Sequence, residues 1–327
     1  TNLTVLQRKL RWRNEIGAAA ITRDRRSAEL DNSGVPGFIK DLFMPRKSSG
    51  VDYAYTSDLN LDLKKISFTA GFHYIGPGYV SLGLASLISD KREMTAGAVW
   101  RFRRGQVRLD GALQQDNLIN QKSYTTDRNR VSATVAYRIR RNWNATFAAA
   151  VTGMTNDSRS DTTRIDYTCW ILRTGQVFSF QRQVGIKSVT ADYTYQHAAD
   201  GNPLRKFTGT TSHSATATAV CGVNASLEIL PSVGLISTRA GGNRILTQIY
   251  TVSGRYSALR RRLVSNATMT VSVADVNTTL RPNLRSSYDL GHNFAVTGEF
   301  ESTVVKGGAK PSQFTEVAGR LILTRRF

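Results

Sequence analysis

The sequence predicts an all-β chain, a transmembrane up-and-down antiparallel β-barrel of sixteen strands forming one domain over residues 1–327. Three observations lead there. Apolar and polar residues alternate at period two over long segments, and short turns alternate with longer polar loops at a regular interval. No segment approaches the roughly 18 uncharged apolar residues that a membrane-spanning helix needs. The hydrophobic fraction is 40% and the mean hydropathy −0.29, too polar for a helical membrane protein. The longest weakly polar run, Ala145–Met154, is far too short to cross. A barrel has no hydropathy peak, because its lipid face and its lumen average out along each strand.

The elements follow in order. Tight turns are expected at Lys64-Lys65, Arg104-Gly105, Arg141-Asn142, Val184-Gly185, Val223-Asn224, Arg261-Arg262 and Gly291-His292. Longer polar segments separate them: Arg25–Gly50, Gly76–Glu93, Asp116–Arg128, Asn156–Thr163, Ala199–Thr211, Ala240–Asn243, Asn277–Thr279 and Val305–Pro311. One strand before the first loop (Lys9–Asp24), seven hairpins and a last strand (Gln313–Phe327) make sixteen, and fourteen or eighteen are the alternatives. Ile165–Arg182 needs a bulge near Thr174-Gly175 to keep phase. Within strands the alternation is regular. Met94, Ala96, Ala98, Trp100 and Phe102 point one way, and Thr95, Gly97, Val99 and Arg101 the other. Phe294, Val296, Gly298 and Phe300 likewise oppose Thr297, Glu299 and Glu301. A soluble sandwich also alternates, but its strands average about 5 or 6 residues, and these run to twice that.

The formal charge of +20 raises nucleic-acid binding, which needs cations gathered on one surface of a compact module. Here they are spread along the chain, so no nucleic-acid partner is expected. Cys169 and Cys221 fall two strands apart, too far for a disulfide, and both read as lipid-facing thiols. The chain starts at Thr1 without a basic or apolar leader, which reads as a removed signal peptide or as the barrel portion of a longer precursor. His73, His197, His213 and His292 have no metal-ligand spacing, so neither metal nor cofactor is expected. His73 and His197 lie near the loop end with Asp90, Asp200 and Ser81, but no triad context accompanies them. The chain is therefore expected not to be an enzyme.

Lys64, Lys65, Arg103, Arg104, Arg140, Arg141, Arg260, Arg261 and Arg262 map to the tight-turn rim, expected to be periplasmic. Asp90, Glu93, Asp116, Asp127, Asp157, Asp161 and Asp200 favour the opposite loops. Long cationic side chains at such a rim snorkel beside the apolar belt, or form a vestibule that attracts anions or an acidic partner. The expected pore-lining set is Arg101, Arg108, Asp110, Arg138, Asp192, Glu228, Arg255, Arg285, Asp289, Glu299 and Glu301, with Arg281 on the same face. Aromatics such as Trp12, Tyr53, Tyr74, Trp100, Trp143 and Tyr288 gather toward strand ends, where amphipathic rings form girdles.

The final strand carries a resemblance. Val317, Gly319, Leu321, Leu323 and the terminal Phe327 match the C-terminal signal strand of bacterial outer-membrane β-barrel proteins, while Arg325 departs from it. The chain as a whole resembles a sixteen-stranded porin. The resemblance implies insertion by the barrel-assembly machinery, a bacterial outer-membrane location among lipid and lipopolysaccharide, and periplasmic termini. The function expected is passive diffusion of small polar solutes with weak anion preference, because basic wall residues bias a pore toward anions. The constriction is assigned to Gly76–Glu93, and a short surface helix to part of Arg25–Gly50. The alternative is a non-conducting anchor or scaffold subunit of a larger surface or secretion complex. A homo-oligomer or a periplasmic partner protein fits either reading.

Overall fold

The computed structural model describes residues 1–5, 9–29, 46–81, 88–182, 184–275, 277–291, 293–307 and 313–325, with Arg261 described by its backbone only. The chain is all-β. Its strands are β1 (Asn2–Val5), β2 (Leu10–Thr22), β3 (Ser49–Leu63), β4 (Ile66–Ile75), β5 (Lys91–Phe102), β6 (Gly105–Asp116), β7 (Thr126–Arg140), β8 (Trp143–Asn156), β9 (Asp166–Ser179), β10 (Gly185–Asp200), β11 (Thr210–Gly222), β12 (Leu227–Ala240), β13 (Asn243–Ala258), β14 (Leu263–Ala274), β15 (Thr278–Gly291), β16 (Phe294–Lys306) and β17 (Phe314–Arg325). Among the described residues the only helical turns are 3₁₀ segments at Lys206–Thr208 and Leu259–Arg261.

All seventeen strands belong to one sheet, in the order β1-β10-β11-β12-β13-β14-β15-β16-β17-β2-β3-β4-β5-β6-β7-β8-β9, with further pairings β1–β2 and β10–β9. Its registered ladders are antiparallel between chain neighbours, as tight turns dictate. Among the described residues, seventeen strands replace the expected sixteen. The addition is β1, whose four residues pair with the start of β2 from Asn2↔Arg13 to Val5↔Leu10. The alternation of Asn2, Leu3, Thr4 and Val5 is too short to stand out as a strand in the sequence. Glu93 moves from loop to strand, because β5 begins at Lys91.

The other strands run from 10 residues in β4 to 16 in β10 and β13, enough for the 9–11 tilted residues that cross a bilayer. Two prolines sit inside them. Pro231 pairs with Val252 toward β13, yet toward β12's other neighbour the ladder passes from Thr218↔Ser232 to Cys221↔Ile229. Pro282 pairs with Met269, and toward β16 the ladder skips from Leu280↔Val304 to Asn283↔Glu301. Proline lacks the N–H that a ladder needs, so one side of each strand gives way locally.

The chain packs as two compact units. Unit 1 comprises Thr1–Thr134, Ala150–Cys169 and Asp200–Lys206; unit 2 comprises Val135–Ala149, Trp170–Ala199 and Phe207–Phe327. In both, the ladders sort residues into two faces. In unit 1 one rung joins Leu61, Phe68, Ala98 and Leu109, and the adjacent opposite-facing rung joins Asn60, Thr69, Gly97 and Asp110. In unit 2, Tyr250, Val271 and Leu280 share one face, and Arg255, Asn266 and Arg285 the other.

Among the described residues, no protein covers the apolar face. Among the described residues the buried hydrophobic set is Ala145, Cys169 and Ala198, while Ile16 is 75% exposed, Leu113 60% and Leu321 78%. A soluble sheet of this size buries one face against another layer. Cys169 is buried, which corrects its reading as a lipid-facing thiol; both cysteines are free.

Candidate functional site

The polar face carries the charged residues, and ladder register decides which of them meet. In unit 2, Arg285 lies opposite Glu299, which in turn lies opposite Arg320. Both guanidiniums turn their Nε to that one carboxylate: Arg285 Nε is 3.2 Å from Oε1, and Arg320 Nε contacts Oε2. Glu299 is largely buried between two exposed arginines. With Asn283, Glu301, Ala318 and Gly319 they line a polar cavity of 440 Å³. Glu301 lies opposite Asn283. Glu228 faces Arg255 in the ladder, but its ion pair goes to Lys187 at 2.6 Å. The reason is a register shift between Ile186 and Ser188 that turns Lys187 toward it. Asp192 lies opposite Thr216, and Asp289 accepts the Gly291 N–H at 2.9 Å and serves the turn. Arg138 follows the same alternation on β7.

In unit 1, Arg108 Nε meets Asp110 Oδ2 at 2.7 Å, two residues along one strand. Arg101 reaches Asp62 at 3.4 Å, and His73 Nε2 lies 2.9 Å from Asp58 Oδ1. Glycine makes room for these side chains. A Cβ on Gly97 would lie 2.6 Å from Thr69 Oγ1 and 3.1 Å from Asp110 Oδ1. Asp58, Asp62, Lys187 and Arg320 escaped sequence reasoning. Asp58, Asp62 and Arg320 have the right parity for the polar face, and register says which residue of the next strand each meets, whereas Lys187 has the parity of Val189 and reaches the polar face only through the register shift beside it.

The first part of the 76–93 loop also touches this face. Asp52 Oδ2 accepts the Gly78 N–H at 2.7 Å, and a Cβ on Gly17 would come within 2.7 Å of the Tyr79 hydroxyl. Gly17 is on the polar side of β2, between Ile16 and Ala18, which face Tyr55 and Tyr53. Tyr79 therefore lies over the polar face. Residues 82–87 of the loop, and 30–45, where a surface helix was expected, lie outside the described residues.

The loop end of unit 1 is knotted by acids. Asp90 holds φ at +59°. It accepts the Leu118 N–H at 2.8 Å and the Asn117 N–H at 3.1 Å, and pairs with Lys122 at 2.6 Å. Burial opposes its ionisation, but Lys122 and the two N–H donors outweigh that and hold its carboxyl below the usual aspartate range. The same contact, with Asp116 adding to it, raises the Lys122 ammonium. Asn202, 0% exposed, donates to the Asp161 and Arg164 carbonyls at 2.7 Å each. Asp200 pairs with Arg205 at 2.9 Å, and His197 contacts the Thr211 hydroxyl at 3.0 Å. Asp90 and Asp200 are thus engaged by cations and backbone, and the acid that meets His73 is Asp58.

At the other end the cations are exposed. Arg101 N–H donates to the Lys65 carbonyl at 2.6 Å, fastening the Lys64-Lys65 and Arg103-Arg104 turns side by side in unit 1. In unit 2, Arg140, Arg141, Arg260 and Arg262 occupy the corresponding tight turns. The Arg261 side chain, His292 and Phe327 lie outside the description. The described part of the terminal signal strand, Gly319, Leu321 and Leu323, pairs with Phe300, Gly298 and Val296 on the apolar face. Arg325, its irregular member, stacks over Phe294 at 5.5 Å.

No family model and no curated protein matches the chain. Among solved structures it is similar to one described as a bacterial polysaccharide outer membrane secretin, with TM-score 0.41 and 12% identity over 84% of this chain and 90% of that one. It is also similar to the siderophore receptor PirA from Pseudomonas aeruginosa, with TM-score 0.48 and 8% identity over 97% of this chain and 71% of that one.

Proposed function

We propose that this chain is a bacterial outer-membrane barrel that passes small polar solutes by passive diffusion, with weak anion preference. One observation carries the reading: large apolar side chains lie exposed on one sheet face, and ion pairs line the other. Hydrocarbon outside and water inside satisfy both faces at once. Closure of the long strands, β2 to β17, belongs to the same proposal. A bilayer tolerates no unpaired strand edge, and the strand order supports closure. Sixteen long strands enclose an aqueous bore where eight would be filled by side chains. The longer loops at one end and tight turns at the other support a periplasmic location for the turns and for both termini.

Tyr79, lying over the polar face, supports assigning the constriction to the loop that begins at Gly76. The Arg285–Glu299–Arg320 cluster and the excess of 44 basic over 24 acidic residues support the anion preference. We read the chain as non-catalytic. Purified protein reconstituted in planar bilayers should give discrete openings of nanosiemens order and a reversal potential on the anion side in a salt gradient. Silence from correctly inserted protein sinks the channel reading. The exposed basic turns favour a second reading, a non-conducting anchor that holds an acidic periplasmic partner. Silence together with a co-purifying acidic subunit selects it.

A further inference from the structure

We propose that unit 1 carries a site on its apolar face for an anionic glycerophospholipid, its headgroup at two basic turns and an acyl chain in a trough along β5. The inference rests on the membrane reading above and goes beyond it by naming a bound lipid.

The headgroup end is built from Lys64, Lys65, Arg103 and Arg104. The backbone bond from Arg101 to Lys65 sets the two turns together. All four side chains are exposed, and none makes an ion pair among the described residues. The acid at this end, Asp62, is on the polar face and takes Arg101 instead. Four adjacent cations without carboxylates suit a phosphodiester.

The next rung inward is the belt that an interface requires. Leu63, Ile66, Trp100 and Val107 form it, and Trp100 packs against Phe102 with centroids 5.3 Å apart. Trp at this depth marks the boundary between headgroup and hydrocarbon.

Beyond the belt the face becomes concave. Ala70, Ala96 and Gly111 are opposite one another on one rung, and Ala98 stands between Phe68 and Leu109 on the rung before it. Phe72, Met94 and Leu113 form the next rung on this face. The cavity measures 570 Å³, and Leu59, Leu61, Val131 and Ala133 close its flanks. From Lys65 to Phe68 is three residues, about 10 Å along the strand, which passes the headgroup layer of roughly 5–8 Å on each side of the hydrocarbon core. The order of cation, aromatic and trough thus matches the order of phosphate, glycerol and chain. A second copy of this surface would bring a like set of cations against these four. Free phosphate has no use for the trough.

The test uses full-length protein in detergent, mixed with phosphatidylglycerol or phosphatidylethanolamine and read by native mass spectrometry. Wild type should retain phosphatidylglycerol at least about 10-fold better, since each cation near an anionic lipid contributes roughly 5-fold. The combined Lys64→Gln, Lys65→Gln, Arg103→Gln and Arg104→Gln variant should lose at least about 10-fold. Ala98→Phe, which fills the trough and keeps every charge, should also lose about 10-fold. Heat-shifted gel mobility reads whether each variant is folded, and Ala96→Leu replaces Ala98→Phe if that one is not. Equal retention of the two lipids, unchanged retention in the variants, or loss in the charge variant alone each overturns the site. A chain that stays monodisperse without any surfactant overturns the membrane reading instead.

Discussion

The two ends of unit 1 treat charge in opposite ways. At the loop end Asp90 is buried, yet it meets an ammonium and two backbone N–H groups. At the turn end Lys64, Lys65, Arg103 and Arg104 are exposed and unpaired by any acid among the described residues. The cause is backbone supply. A long loop leaves N–H groups outside the ladder, and a carboxylate that gathers them becomes structural. A two-residue turn between paired strands has few such donors to offer, so its cations face water or lipid headgroups. Sign follows architecture here: acids tie loops, and bases mark the rim.

Four experiments test that contrast. The largest effect is expected from Asp90→Ala, which strands the Asn117 and Leu118 N–H groups and unpairs Lys122. It should destabilise the folded state by roughly 2–3 kcal/mol, read by urea unfolding in vesicles, with residues 117–125 becoming protease-sensitive. An unaltered midpoint would remove the knot from the account. Acid should reproduce part of this. The Asp90 carboxyl is held below its ordinary value, so its contribution is present above about pH 4 and lost as pH falls through the lowered value. Lys122 is shifted upward, so its contribution is kept below about pH 10.4 and lost above. Loop proteolysis should therefore be flat from pH 5 to 9 and rise at both extremes; a rise near pH 6.5 would point to histidine instead.

A smaller effect is expected on the polar face. Glu299→Gln frees Arg285 and Arg320 from a shared carboxylate, which should raise the anion-to-cation permeability ratio by roughly 2-fold. The reversal potential in a salt gradient reads it, and a shift toward cations contradicts the wall assignment. The smallest is expected at the rim, where Lys64→Ala with Lys65→Ala should move stability by under about 0.5 kcal/mol. A loss of several kcal/mol in the same unfolding assay would mean the basic turn is structural after all, and the contrast between the ends would collapse.

Much of this architecture was legible in the residues. Period two, the spacing of turns such as Lys64-Lys65 and Arg141-Asn142, and the strand parity of Arg101, Arg108, Arg285 and Glu299 all appear in the structure. The four-residue β1 was not legible, because its pairing partner Leu10–Arg13 lies outside its own pattern. Nor were the partners of the wall charges. Glu228 and Arg255 read only as members of one wall; the ladder sets them opposite each other, yet the ion pair of Glu228 goes to Lys187, which sits at a register shift on β10. Cys169 shows the same limit: it reads as a lipid-facing thiol, and the structure buries it.

The amino-acid order alone determined the class of fold, since alternation at period two admits only a sheet with unlike faces, and it sorted side chains onto those faces wherever no register shift intervenes. Tertiary structure alone decided which charges meet, that Glu299 serves two arginines, that Tyr79 lies against Gly17, and that the trough along β5 exists. The reason is that alternation is a property of one strand, whereas contact is a property of register between strands. Register depends on turns, bulges and prolines whose effects sum along the sheet.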